Sequence, residues 1–280
     1  MSINSEIGNG IVYSIIIVCL NAGERLADTV ASVRAQTYKE YEIIIKDGGS
    51  TDGSPQRVET DDRTHVIIRK DNGIYDAMNQ AVAEASGSWL LFLNTGDSLY
   101  NDRVLEDMAA AIPAGENANK KTVDIIYGNL YHKALDTVIY ASPQINDFAC
   151  YRNVPCHQSC FYRRSLFEER GYDTRYTVRA DYEHFLWCYY EKKADIRYVP
   201  MIVASYEGGG YSETKENKKR SARQHREIVV KYMGRGKADK YRLLLLLTLA
   251  PLRSALAGSR HFSRFYNSIK TAVYKLFKGG

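Results

Sequence analysis

What most constrains the fold of this chain is a repeated order: an aliphatic, β-branched run, then a segment with helical spacing, then another run. Ile11 to Leu20 is the first run. Ile11, Val12, Ile15, Ile16, Ile17 and Val18 are nearly continuous, which suits a strand buried on both faces. Leu26, Val30 and Val33 then recur at helical spacing and predict a helix ending near Gln36-Thr37. Tyr41 to Lys46 and His65 to Arg69 read as the second and third strands. Ile74, Met78, Ala81, Val82 and Ala85 mark one face of a second helix, stopped by Ser86-Gly87. Trp89 to Leu93 is a further strand with Asn94 to Asp97 at its tip. Such an alternation predicts an α/β fold with a mostly parallel sheet covered by helices. Ligands of open α/β sheets bind beyond the carboxyl ends of the strands, and that is where Asp47 and Asp97 fall.

The second half is less regular. Asp124 to Tyr127 begins a strand, and Tyr131 to Tyr140 reads as a hairpin around Ala134 to Thr137. A helix is expected over Asp181 to Glu191, with Tyr182, Phe185, Leu186 and Tyr189 on one side. Ile196 to Ser205 returns as a strand, and Glu207-Gly208-Gly209-Gly210-Tyr211-Ser212 is a loop. There is no internal repeat and no low-complexity linker.

At 280 residues and 45% hydrophobic content the chain can bury a large core. No apolar run approaches the roughly 18 residues needed to span a bilayer. Met1 to Gly10 lacks the pattern of a secretory signal. Five cysteines, an odd number, suit free thiols in a reducing cytosol. Residues 213–280 carry 17 Lys and Arg against 4 Asp and Glu, a balance of +13 that leaves −8 for residues 1–212. The sign change suggests a catalytic domain over 1–212 and a basic helical appendage over 213–280, facing something anionic.

Several motifs carry chemistry. Asp47-Gly48-Gly49-Ser50-Thr51-Asp52-Gly53 follows the second strand; on composition alone it is equally a Gly-rich turn with Asp52 capping a helix. Asp71-Asn72-Gly73-Ile74-Tyr75-Asp76-Ala77-Met78-Asn79 opens the second helix, where Asp76 and Asn79 suit a capping network. Asn94-Thr95-Gly96-Asp97 ends the fourth strand. Cys156-His157-Gln158-Ser159-Cys160-Phe161-Tyr162-Arg163-Arg164 offers a satisfied core histidine or, less well, a zinc site lacking a second ligand pair. Asp181 reads either as an N-cap or as a reactive carboxylate at a helix start.

In this order, the segments resemble a GT-A glycosyltransferase of the large inverting family 2, over about residues 11–212. The first matches D-x-G-S-x-D-G, the second G-I-Y-D-A-M-N, and Ala85 to Asp97 matches A-x-G-x-W-x-x-F-L-N-x-G-D. His157 and Gln158 match H-Q-x-x-F-Y-R-R, and Gly208 to Ser212 resembles a G-G-x-S loop. The resemblance implies a nucleotide diphosphate sugar donor, probed by Asp47, Gly48, Arg69, Asp71, Gly73, Asn94, Asp97, His157 and Gln158. It implies Mg²⁺ or Mn²⁺ on Asp97, since hard cations accept few carboxylates when phosphates and water complete the shell. Asp181 becomes the general base that deprotonates the acceptor. Two departures stand out: N-x-G-D replaces D-x-D, and Ala180 replaces the acid usually before the base. Those missing acids leave room for a donor-binding protein without turnover. A nucleotidyltransferase would need a basic Gly-rich loop after the first strand, and a dehydrogenase would need G-x-G-x-x-G there; neither is present.

The tail completes the sequence expectations. Asn217 to Met233 reads as a basic helix with Ile228, Val229 and Tyr232 on its apolar side. Leu243 to Leu252 is an apolar run, and Phe262, Phe265, Tyr266, Ile269, Val273, Leu276 and Phe277 recur at helical steps among Arg264, Lys270, Lys275 and Lys278. This suits either an anionic membrane surface, with a lipid-linked saccharide acceptor at the inner face of the cell membrane, or packing on protein. Nucleic acid is disfavoured, because the aromatics follow helical spacing instead of forming a stacking platform.

Overall fold

The computed structural model describes residues 13–112, 123–210 and 214–247. Its first half is β1 (Tyr13–Cys19), α1 (Arg25–Arg34), β2 (Tyr41–Asp47), β3 (Thr64–Ile68), α2 (Ile74–Val82), β4 (Trp89–Asn94), β5 (Ser98–Leu99) and α3 (Val104–Ala111). The second half is β6 (Ile125–His132), β7 (Thr137–Ile139), α4 (Asp147–Arg152), β8 (Cys160–Arg163), α5 (Arg164–Glu169), α6 (Ala180–Tyr190), β9 (Ile196–Tyr206) and α7 (Lys215–Leu247). One sheet runs β3-β2-β1-β4-β8-β6-β9-β5, with β7 hung on β6.

β1 and β2 are buried at every position, as their unbroken aliphatic character requires. Side chains alternate across a strand, so β1 feeds two layers. Tyr13, Ile15 and Ile17 pack with Leu26, Val30 and Val33 of α1 and with Val104, Leu105 and Met108 of α3. Ile16 and Val18 pack with Met78 and Ala81 of α2 and with α6. Each fully buried side chain of this kind contributes about 1.5–3 kcal/mol. The stop at Ser86-Gly87 has a physical cause. The buried Glu42 carboxylate accepts Ser86 N (2.7 Å), Ser86 Oγ (2.9 Å) and Ser14 Oγ (2.6 Å). A Cβ on Gly87 would meet the β1 backbone at 2.8 Å.

β1 to β4 are parallel, but β8 runs antiparallel between β4 and β6. That four-residue strand joins the two halves and carries the segment before it, residues 156–159, to the mouth of β4. The hairpin expected around Ala134 to Thr137 is present as β6 and β7.

α6 differs from its expected one-sided character: Tyr182 through Cys188 are all buried, as befits a helix enclosed by the core. It begins at Ala180, with Arg179 at the cap position and no side-chain cap bond. Asp181 is therefore not an N-cap. α7 kinks at Gly234 (φ 77°), and its Ile228, Val229, Met233 and Ala238 belong to the same core cluster as β1 and α6. Charge changes sign near residue 212, but buried positions of α7 run from Asn217 to Ala238. Residues 11 and 12 of the first run, the Tyr211-Ser212 end of the glycine loop and the apolar pattern beyond Leu247 lie outside the described residues.

Candidate active site

The carboxyl ends of β1 and β4, the start of α2, the turn before β8 and the end of β9 enclose a cavity of about 340 Å³. Asn94, Asp97, His157, Gln158 and Asp181, far apart in sequence, all line it.

Asp181 points from the first turn of α6 and keeps a quarter of its side chain exposed. Tyr75 Oη donates to Oδ1 at 2.8 Å, and His157 Nδ1 lies 3.0 Å from Oδ2. His157 Nε2 is 3.2 Å from Asn94 Nδ2. An Nδ1–H tautomer satisfies both contacts, donating to Asp181 and accepting from Asn94. Burial alone would raise the Asp181 pKa. The His157 and Tyr75 hydrogen bonds outweigh it, so the carboxyl sits below its ordinary range. At neutral pH it is a carboxylate fixed in place.

Asp97 lies across the cavity and is 3% exposed. Oδ2 accepts Gln158 Nε2 (2.8 Å) and Oδ1 accepts the Glu207 backbone N–H (3.0 Å). Burial raises its pKa, against those two bonds. Gly96 bends the chain here with φ +97°, a conformation that favours glycine, and a Cβ at this position would displace the tip of the Glu207 side chain. Glu207 thus brings a second carboxylate to the Asp97 loop. Among the described residues no three His, Cys, Asp or Glu form a ready metal cage. The donor set fits Mg²⁺ or Mn²⁺ held by one or two hard carboxylate oxygens with substrate phosphates and water. Cys156 and Cys160 do not converge on a metal: the first bonds Gln158, and the second is buried in the core.

The other expected donor residues form a separate cluster beside the cavity. Asp47 is fully buried; Gly49 N (2.9 Å), Ser50 N (2.8 Å) and Ser50 Oγ all donate to it. These bonds, opposed by burial, hold its pKa low. Asp52 ties the same loop to the one after β1 through Gly23 N (2.8 Å). Fully buried Lys46 donates to Asp71 Oδ2 (2.8 Å) and Arg69 O (2.5 Å). A Cβ at Gly48 would sit 2.9 Å from Asp71 Oδ2, so glycine lets the two loops meet. Gly73 starts α2 and presents Ile74 and Tyr75 to the cavity. Arg69 is exposed beside Glu84 at 3.7 Å. Asp76 accepts locally from Asn72 N (2.8 Å), whereas Asn79 ties α2 to the second half by accepting from Tyr172 N (2.8 Å) and donating to Tyr172 O (2.9 Å).

Tyr75, Arg25 and Glu207, which also line the cavity, and Lys46 of the adjoining cluster were not legible as site residues. Tyr75 lay inside a motif already singled out, and Glu207 at the strand-to-glycine junction, so both had a positional signal. Nothing local marked Arg25.

A parallel four-strand half joined through an antiparallel strand to a second half, with carboxylates converging at the seam, agrees with the GT-A architecture that the motifs resemble. The glycosyl transferase family 2 model matches residues 14–171, and the chain belongs to that family. A PGL/p-HBAD biosynthesis glycosyltransferase of Mycobacterium bovis (strain BCG / Pasteur 1173P2) is 37% identical over 216 residues, covering 72% of this chain and 80% of the relative. Staphylococcus aureus TarS 1-349 in complex with UDP superposes with a TM-score of 0.62 at 17% identity, over 81% of this chain and 68% of that one. The Pyrobaculum calidifontis mannosyltransferase PcManGT in complex with GDP-Man and Mn²⁺ gives 0.59 at 14%, over 96% and 88%. The chain is a glycosyltransferase.

Proposed function

We propose that the enzyme inverts configuration while moving a sugar from a nucleotide diphosphate sugar, a UDP-sugar, to a saccharide acceptor. That acceptor is lipid-linked, and the setting is bacterial surface polysaccharide or O-antigen assembly at the cytoplasmic face of the membrane. The observation that carries this reading is the placement of two unlike carboxylates in one cavity. Asp181 is ionised and oriented by Tyr75 and His157. Asp97 is buried beside Glu207.

In this scheme the nucleoside half of the donor lies toward the Asp47–Lys46–Asp71 cluster, and its diphosphate toward Asp97. A bound Mg²⁺ or Mn²⁺ would be held by Asp97 and Glu207 and would supply charge neutralisation at the departing diphosphate. Asp181 removes the acceptor hydroxyl proton as the oxygen attacks the anomeric carbon. The new C–O bond forms opposite the breaking bond to the nucleoside diphosphate, which accounts for inversion. His157 and Tyr75 fix the base and limit its motion.

The membrane part has its own support. α7 is rich in Lys and Arg and ends with Leu243 and Leu246 more than half exposed, a combination suited to an anionic bilayer surface. Among the described residues no helix is long and apolar enough to cross a membrane. Removing residues 237–280 should release the protein from anionic vesicles; retained binding would overturn the membrane assignment.

The decisive experiment is thermal stabilisation by a nucleotide and sugar-nucleotide panel, with and without Mn²⁺, on wild type and Asp97→Ala. A ligand selective for the native state adds about 2.7 kcal/mol at a hundred times its Kd. Mn²⁺-dependent stabilisation by UDP or a UDP-sugar, lost in Asp97→Ala, is expected. No shift with any nucleotide would refute the donor assignment.

A further inference from the structure

Asn94, the last residue of β4, puts an amide at the head of the N-x-G-D loop. Its backbone is fixed from both sides. The Asn94 carbonyl accepts Asp97 N (3.0 Å), and the neighbouring Thr95 hydroxyl donates to Val18 O (2.9 Å) on β1. Asn94 Nδ2 then lies 3.2 Å from His157 Nε2, and His157 Nδ1 lies 3.0 Å from Asp181 Oδ2. Amide, imidazole and carboxylate form one chain, with the imidazole 11% and the carboxylate 25% exposed.

Such a chain has two ways to place its protons. In the first, Asn94 donates to Nε2 and the single imidazole proton sits on Nδ1, facing Asp181. His157 is then neutral. In the second, the amide is turned over and Oδ1 accepts from a protonated Nε2. Asp181 still needs a donor on Nδ1, so His157 would hold both protons and become an imidazolium. The turned amide would also put its NH₂ where Oδ1 now lies, a buried position with no hydrogen-bond partner among the described residues. That leaves two donors unmet where one acceptor is unmet now, and each unmet buried group is costly. The packing therefore favours the neutral arrangement. A carboxylate at position 94 would reverse the balance. It can only accept, so Nε2 would have to be protonated, and an imidazolium would face Asp181. An opposite charge at that range weakens a carboxylate's hold on a proton by about ten- to a thousandfold, which makes a poorer general base.

We propose that Asn94 is a positioning residue for the base: its amide holds His157 as the neutral Nδ1–H tautomer, which orients Asp181 without quenching it. This goes beyond the donor scheme and rests on the assignment of Asp181 as the base. An acid placed at position 94 adds a hard oxygen to the Asp97 loop and yet slows the enzyme.

The test is ¹⁵N NMR of the full chain with labelled histidine, free of nucleotide and metal, at mildly alkaline pH. Loss of signals in His157→Gln identifies the His157 ring. Wild type should show Nδ1 protonated and Nε2 bare, and Asn94→Asp should show both nitrogens protonated. An Nε2–H tautomer or an imidazolium in wild type overturns the proposal, as does an unchanged ring in Asn94→Asp. The wild-type spectrum decides even where Asn94→Asp fails to fold. Turnover is read as UDP released from UDP-glucose or UDP-N-acetylglucosamine with Mn²⁺. Asn94→Asp should lower kcat about tenfold or more with the donor KM nearly unchanged. In a His157→Gln background the same substitution should cost little further, because glutamine cannot take up the charge. An equal loss in both backgrounds would place Asn94 on the donor or the metal and overturn the proposal. Full turnover in Asp181→Asn would overturn it together with the base assignment. No UDP release from wild type would defeat the donor assignment alone, and the spectra would still decide this proposal.

Discussion

Two groups of carboxylates sit at the carboxyl edge of the same sheet and behave in opposite ways. In the Asp47–Asp52–Asp71 cluster the acids are satisfied by their own loop and by one buried lysine, with partners drawn from residues 19–73. In the cavity, Asp97 and Asp181 draw their partners from residues 75–207, 24 to 110 positions away. The first group builds a rigid platform. The second exists only once the whole sheet has closed. A local motif therefore specifies the platform, whereas the reactive constellation is a product of topology.

This contrast can be broken from either side. The largest effect belongs to the cavity. Asp181→Asn should lower transfer by about 10²- to 10⁴-fold, the range of a lost general base, while UDP-induced stabilisation persists. Steady-state kinetics beside a thermal shift checks this; unchanged turnover would remove Asp181 from the mechanism. On the platform, Lys46→Met leaves Asp71 without its buried countercharge. It should cost on the order of 3–5 kcal/mol of stability, read by chemical denaturation. A change below about 1 kcal/mol would mean that water replaces the ammonium.

A third prediction separates fold from site by pH. His184, fully buried behind the cavity, has its pKa pushed down to about 4 by burial. A base depressed in the folded state contributes stability that is present above its unfolded value, about 6.5, and lost as pH falls toward 4. That loss approaches about 3 kcal/mol, and His184→Gln should flatten the profile over this window. The smallest effect is at Tyr75. Tyr75→Phe removes one hydrogen bond that lowers the Asp181 pKa, so the acid limb of activity should move to higher pH. Transfer at neutral pH should fall only several-fold, consistent with about 1 kcal/mol for one bond. A limb that stays fixed would show that Tyr75 does not tune the base.

The first half of the fold was readable because strands buried on both faces leave unbroken aliphatic runs. The interleaved helices carry clear 3.6-residue spacing. β8 was not readable: four residues, Cys160–Arg163, give no periodicity, and nothing local says that they insert antiparallel between β4 and β6. Yet that insertion brings His157 and Gln158 to Asn94 and Asp97. Asn94, Asp97, His157, Gln158 and Asp181 were found by motif, but Tyr75, Glu207 and Arg25 in the same cavity, and the contacts among all of them, by structure alone. The capping alternative for Asp181 failed because α6 starts at Ala180, two residues before the Tyr182 start that capping requires. Burial of α7 was hidden for a different reason. Charge dominates its composition, while a few apolar positions such as Ile228 and Val229 decide its packing.

Glu183 gives that last point a practical edge. It stands two residues after Asp181, is wholly buried, and is held by Arg170 (2.6 Å) from the α5–α6 connection and by Lys231 (2.6 Å) and Tyr232 from α7. α6, which carries Asp181 to the cavity, is thus anchored from behind by the basic segment. A chain ended at residue 212, where composition alone would divide it, strips two of the three partners from a buried anion. A piece that keeps all three partners of Glu183 extends at least to Tyr232, so the basic helix belongs to the packing behind Asp181.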